Sequence, residues 1–130
     1  AVQKVNALKA DAVVFTGDQV NKPEDALQWD TFADAISEID SQTSVFHIPG
    51  NHDVLLSEGK VDITPFSSRY GEDRFVYSDN KVCIVGINSN LIKSNDPREE
   101  EQFEWMRSVL EAAGNHVVKL VFCHHPFFLA

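Results

Sequence analysis

Cysteine is scarce in this chain: two residues, Cys83 and Cys123, among 130. Each lies inside an apolar run, at 82–85 and 120–123, and neither has a second cysteine at ligand spacing. Both are read as buried free thiols, which rules out a disulfide framework and leans toward a reducing, cytoplasmic compartment. Positive charge is also short, with 11 Lys and Arg against 20 Asp and Glu and a net charge of -9. That balance argues against a general binder of nucleic acid or of anionic membrane. It does not exclude a phosphate-bearing substrate, because bound metal ions would supply the local positive charge. No apolar run is long enough to span a bilayer. Repeats, low-complexity tracts and linkers are missing too. The chain has no initiator methionine and opens inside a helical pattern, so the lack of a targeting segment carries no weight.

What is present suffices for one domain over residues 1–130, since 43% of the residues are hydrophobic. Val2, Val5 and Leu8 recur at three-residue spacing, as on an amphipathic helix. The continuous apolar run 12–15 predicts a strand buried on both faces. Pro23, Glu24 and Asp25 mark a helix start. Trp29, Phe32, Ala33, Ile36 and Ile39 then form one apolar face, predicting a helix to about Ile39. A second strand follows at 44–48. Helix and strand alternate with short connections, which predicts an α/β fold with crossover helices. Residues 54–73 predict a loop with a helical turn at 65–69. The runs 74–77 and 81–87 flank Ser78-Asp79-Asn80 and predict a β-hairpin. Asp96-Pro97-Arg98-Glu99 is a helix start, continued by Phe103, Met106, Leu110 and Ala113. A final buried strand is predicted from His116 to Phe122.

The chemistry concentrates in Gly50-Asn51-His52-Asp53, at the end of the second strand. Glycine permits backbone that other residues resist. Asn51 offers a neutral carbonyl oxygen to a hard cation. His52 can give or take a proton near neutral pH, and Asp53 can hold an imidazole in one tautomer. The plain alternative is a polar turn, for which Asn, Asp and Gly are common. Asp18 and His124 also lie just past apolar strands. In open α/β sheets the carboxyl ends of strands face one crevice, so Asp18, Asn51 and His124 can meet there. A carboxylate, an amide oxygen and an imidazole suit a first-row divalent ion such as Mn, Fe or Zn.

Gly17-Asp18-x-x-Asn21, Gly50-Asn51-His52-Asp53 and His124-x-Pro126 resemble the middle motifs of the calcineurin-like metallophosphoesterases. The resemblance runs from about Leu8 to Pro126. Tyr70-Gly71 with Phe75, Asn88-Ser89, Gln102 with Trp105, and the segment from His124 to Leu129 are most similar to the subgroup of calcineurin-like phosphoesterase domain-containing protein 1. That subgroup includes protein serine/threonine phosphatases.

The resemblance implies a two-metal hydrolase on a four-layer α/β/β/α sandwich. Asp18 would bridge the metals, and Asn51 and His124 would bind the second. His52 would contact phosphate and protonate the leaving alkoxide. Asp53 would orient His52, and Asn21 would brace its loop. The substrate implied is a phosphoprotein or a small phosphate ester. A nucleotide phosphodiesterase and a non-catalytic binding module on the same fold are the rival readings, and His52 argues against the latter.

The family's Asp-x-His and Gly-His-x-His motifs do not occur, so the chain reads as an internal fragment truncated at both ends. Alone it is expected to hold at most one metal, weakly, and to be inactive. His47 is expected to be a satisfied core or edge histidine, His116 solvent-facing, and His125 turned away from His124. Arg69 and Arg74 read as surface charges.

Overall fold

A computed structural model describes residues 2–115 and 118–126. In chain order the elements are α1 (Val2–Leu8), β1 (Ala12–Phe15), α2 (Ala26–Ile36), β2 (Ser44–His47), β3 (Leu55–Ser57), β4 (Lys60–Asp62), α3 (Thr64–Tyr70), β5 (Phe75–Ser78), β6 (Val82–Gly86), α4 (Ser89–Lys93), α5 (Arg98–Ala112) and β7 (Val118–Phe122). Strands β1 and β2 pair in parallel, with Val14 opposite Phe46. A second sheet has the order β5-β6-β7, antiparallel and then parallel. Strands β3 and β4 form a separate hairpin.

Side-chain alternation turns these pieces into layers. Phe46 points out of the first sheet and stacks on Phe75 of the second at 4.5 Å. Room for this comes from Gly86, where an added Cβ would lie 2.1 Å from the Phe75 ring and 2.7 Å from Ile48 Cγ2. On the other face of β6, Cys83 and Val85, with Ile87 just beyond, pack under Trp105, Met106, Val109 and Leu110 of α5 and the loop beyond it. On the outer face of the first sheet, Phe32 of α2 meets Phe15 edge-on at 5.2 Å. Helix, sheet, sheet and helix follow one another, the expected α/β/β/α arrangement. A second cluster of Val20, Trp29, Val54, Val61, Phe66 and Leu91 fills the space below the strand-end loops.

Local chemistry fixes the helix limits, and here several expectations need correction. Asp25 caps α2: its carboxylate accepts from the Leu27 and Gln28 amides, while the Gln28 side chain returns to it at 2.9 Å. The helix therefore starts after Asp25, and it ends at Ile36, short of Ile39. Ala33 faces solvent. Asp96 serves α5 similarly, accepting from the Arg98 amide at 3.0 Å. Its other oxygen takes the Val61 amide at 2.8 Å, and the Arg98 guanidinium closes the clamp.

The β3–β4 hairpin was not foreseen, because three-residue strands carry too little alternation to register. Its turn is Glu58-Gly59, with Gly59 at φ 67°. Strand β1 is only partly buried, since β2 is its one partner among the described residues. Strand β7 is an edge strand among the described residues, and its residues 118–121 are exposed, not buried. His116 lies outside the described residues, as does the 127–129 part of the C-terminal motif. Both cysteines are free, Cys83 buried and Cys123 partly so. Arg69 and Arg74 pair with Asp30 and Glu101, each at 2.7 Å.

His47 is held in an aromatic stack between Phe15 at 5.1 Å and Tyr70 at 4.0 Å. It is a core histidine as expected, but not a satisfied one: Nδ1 is buried and has no partner among the described residues. Burial lowers its pKa from 6.5 to about 4. The unfolded chain therefore binds a proton in this window that the folded chain refuses, so stability should fall as pH drops from 6.5 toward 4. His47→Phe, which keeps the stack and removes the titration, should flatten this slope. Urea denaturation of both proteins from pH 7 to pH 4 measures it; parallel profiles would show that His47 is protonated in the fold.

Candidate active site

Three strand ends build the site. After β1 the chain turns through Gly17 at φ 101° and Asp18 at φ 55°. The left-handed region is open to glycine and tolerated by aspartate, so this pair is suited to reversing the chain while presenting a carboxylate. After β2 the chain passes Ile48 and Pro49 into Gly50-Asn51-His52-Asp53. Glycine is required at both turns by close approach. A Cβ on Gly50 would lie 2.2 Å from Asp18 Oδ1, and one on Gly17 would lie 2.6 Å from His124 Nδ1. After β7 the chain reaches His124, two residues past Phe122.

Asp18, Asn51 and His124 come together. His124 Nε2 lies 3.1 Å from Asn51 Oδ1 and 3.5 Å from Asp18 Oδ1. On the far side of the ring, Nδ1 lies 2.8 Å from the Thr16 carbonyl oxygen. A carbonyl only accepts, so Nδ1 carries a proton. In the neutral ring, Nε2 then aims a lone pair at two oxygen acceptors. Three acceptors facing one another are reconciled by a ring proton, by a cation, or by turning the Asn51 amide to donate. An O, O, N donor set of this kind fits a divalent first-row ion. Among the described residues no three His, Cys, Asp or Glu side chains converge. The set therefore depends on the amide oxygen of Asn51 as its third donor.

His52 sits at the exposed rim. Its amide donates to Asp18 Oδ1 at 3.2 Å, and its Nδ1 lies 3.0 Å from the Asn21 carbonyl. The expected pairing of Asp53 with His52 is not formed. Asp53 is fully buried, and its two oxygens accept from the Val20 amide at 3.1 Å and the Gly50 amide at 2.7 Å. The reason is geometric: the carboxylate points into the turn, where two amides would otherwise be unpaired. Burial pushes the Asp53 carboxyl up from its ordinary pKa, and the bonds from Gly50 and Val20 oppose that rise. Asn21 meets the site only through its backbone carbonyl, at His52 Nδ1. An open cleft of about 620 Å³ runs from Asp18 and His52 along Leu27, Thr31 and Phe32 of α2.

Sequence reasoning named Asn88-Ser89 only as part of the subgroup resemblance and gave this fourth strand end no role. Asn88-Ser89-Asn90, after β6, is buried throughout. Asn90 Nδ2 donates to the Pro49 and Gly50 carbonyls, both at 3.2 Å. The Ser89 hydroxyl accepts from the His125 amide at 3.0 Å and lies 2.9 Å from His125 Nδ1. His125 is thus held by Ser89, away from the Asp18–Asn51 pair that His124 contacts. The signal was available: three polar residues directly after an apolar strand, the same placement that singled out Asp18 and Asn51.

If Asp53 ties loops together and does not orient His52, Asp53→Asn should cost about 1–3 kcal/mol, because an amide N–H would face a backbone N–H. The tautomer of His52, read by ring ¹⁵N shifts, should stay as in the wild type. A changed His52 tautomer at unchanged stability would restore the orienting role.

A family model described as calcineurin-like phosphoesterase matches residues 1–128. The chain is also similar to the serine/threonine-protein phosphatase CPPED1 of Bos taurus, with 29% identity over 140 aligned residues. That alignment covers 99% of this chain and 45% of the relative, so the chain spans just under half the relative's length. No solved structure gives a significant match.

Proposed function

From the premise that the chain belongs to the calcineurin-like phosphoesterase family, we propose that these loops form the metal-dependent core of a phosphomonoesterase site. The observation that carries this reading is the convergence of Asp18, Asn51 and His124, with His124 Nδ1 committed to Thr16 and Nε2 turned to the two oxygens. These three side chains would hold one divalent ion, Mn, Fe or Zn, with Asp18 also available to a second. When bound, such ions act as Lewis acids on phosphoryl oxygen and supply hydroxide at neutral pH.

The chain's own residues then have separable tasks. Asp18 accepts the His52 amide and so holds the His52 backbone beside the donor set. His52 Nδ1 faces the Asn21 carbonyl and must be protonated there. Its acid form is the imidazolium, with the second proton on Nε2. Passing that proton to the leaving alkoxide returns the ring to the neutral tautomer that Asn21 already holds. No rotation of the ring is needed. Asp53 positions the loop on which His52 sits. The cleft along α2 opens on the His52 side and has room for a leaving group larger than an alcohol. With a relative named as a serine/threonine-protein phosphatase, a phosphoprotein is the substrate class we favour, with small phosphate esters beside it.

With one three-donor set among the described residues, this chain is proposed to bind one ion weakly and to turn over little by itself.

Two measurements test the reading. In protein with measurable turnover, His52→Ala should leave metal content nearly unchanged and lower the rate by roughly 10²–10⁴-fold, most for poor leaving groups. Equal losses for an alkyl and a nitrophenyl phosphate would remove His52 as the acid. Asn51→Ala and His124→Ala should each weaken metal affinity, with activity partly restored by excess metal, whereas His125→Ala should not. Metal analysis that finds His124→Ala fully loaded would refute the ligand set.

A further inference from the structure

We infer that Asn88-Ser89-Asn90 is a bracket that positions the two ligand loops relative to each other, with Asn90 as its principal positioning residue. The inference rests on the metal-site reading above and extends it to residues that touch neither metal nor substrate.

Asn51 and His124 are carried by strands of different sheets, so no ladder of hydrogen bonds sets the distance between them. Something must bridge the sheets at their carboxyl ends. The turn after β6 does so from both sides. Asn90 reaches the first sheet's loop, donating to Pro49 and Gly50, the two residues before Asn51. Ser89 reaches the second sheet's loop, accepting from the amide of His125, the residue after His124.

The orientation of Asn90 is fixed by its neighbours. Nδ2 faces the Pro49 oxygen, the Gly50 oxygen and Asn88 Oδ1, the last at 2.9 Å. All three only accept, so a flipped amide would meet three acceptors with its own oxygen. Among the described residues, Asn90 Oδ1 is buried without a partner. An orphaned acceptor is an expense that a purely structural turn would have little reason to carry. Here it goes with aiming the donor at the loop that carries Asn51.

The bracket is itself held rigid. Gln102 of α5 reads both backbone groups of Asn88, accepting from its amide at 2.8 Å and donating to its carbonyl at 3.2 Å. Asn88 Nδ2 donates to buried Asp73 at 2.7 Å. Asn88, Asn90 and Gln102 have no exposed surface. A polar network this enclosed and this satisfied, apart from one oxygen, is stiff. Residues behind the ligands commonly change metal affinity by 10–100-fold when removed.

The experiment titrates Mn²⁺ alone into the wild-type chain and into Asn90→Ala, Ser89→Ala and Asp96→Ala, reading free ion by its paramagnetic resonance signal. Amide hydrogen exchange at His52 and Asp53 is followed in the metal-free proteins. Asp96→Ala is the control for lost stability, since it opens the α5 clamp and leaves the bracket alone. Asn90→Ala should weaken Mn²⁺ binding by about tenfold or more and speed exchange at both amides. Asp96→Ala should lower Tm without either effect. Wild-type affinity and exchange in Asn90→Ala would overturn the inference, and so would an equal loss of affinity in Asp96→Ala. Should Asn90→Ala fail to fold, Ser89→Ala decides: a weaker Mn²⁺ site supports the bracket and an unchanged one refutes it. If the wild type binds no Mn²⁺, the metal-site reading fails, while faster exchange in Asn90→Ala would still support the bracket.

Discussion

The site depends first on one buried carboxylate. Asp53 has no exposed surface, and its two oxygens take the amides of Val20 and Gly50. Those amides belong to different loops, one after β1 and one after β2. Without the carboxylate, both would be buried donors at turns too tight to find partners in a ladder. A lost partner of this kind costs about 1–3 kcal/mol for each group. The same bond that satisfies the backbone also brings Gly50 against Gly17 and Asp18, where only glycine fits. Loop closure, glycine placement and the approach of Asp18 to His52 follow from a single side chain.

From there the ties run outward in sequence. Asp53 joins the first two loops, Asn90 joins the second to the turn after β6, and Ser89 joins that turn to the loop after β7. His124 closes the circuit by meeting the Thr16 carbonyl, back at the end of β1. Each tie is polar and most are buried, which is the opposite of how the layers themselves are held. Phe46 on Phe75, and Trp105 and Met106 over Cys83 and Val85, are apolar contacts that tolerate small shifts. Hydrogen bonds fix angles that apolar contacts leave loose, so the ends of the strands are specified more tightly than their middles.

This division explains what could be read from the sequence. Hydrophobic period located α2, α5, the β5–β6 hairpin and the parallel pair β1–β2, because those elements bury one face against another. Strand-end placement brought Asp18, Asn51 and His124 to one crevice. What escaped was whatever depends on a partner far along the chain. Asp53 stands next to His52 in sequence, so adjacency suggested a pair, yet its partners are Gly50, three residues back, and Val20, 33 residues away. Asn90 finds Gly50 across 40 residues. The burial of β7 was misjudged because an apolar run does not reveal whether a strand is central or at an edge. The β3–β4 hairpin is held partly by Asp96, 35 residues from Val61. Local pattern contains none of this.

Electrostatics gives the donor set its direction. The chain carries a net charge of -9, and at the crevice it presents a carboxylate, an amide oxygen and, in neutral His124, a lone pair. A phosphate ester brought to such a surface meets only repulsion from these three groups. The two imidazoles differ in a way that resolves this. Each has Nδ1 against a backbone carbonyl, Thr16 for His124 and Asn21 for His52. For His124, Nε2 then faces oxygen acceptors and is suited to sharing its lone pair with a cation. For His52, at the exposed rim, Nε2 is suited to holding a proton that a leaving group can take. Under the proposed reading, two histidines of like tautomer would divide into a base toward metal and an acid toward substrate, and the division would come from what surrounds Nε2. On the same reading, a cation would reverse the sign of the crevice before an anion entered, so metal binding would precede substrate binding.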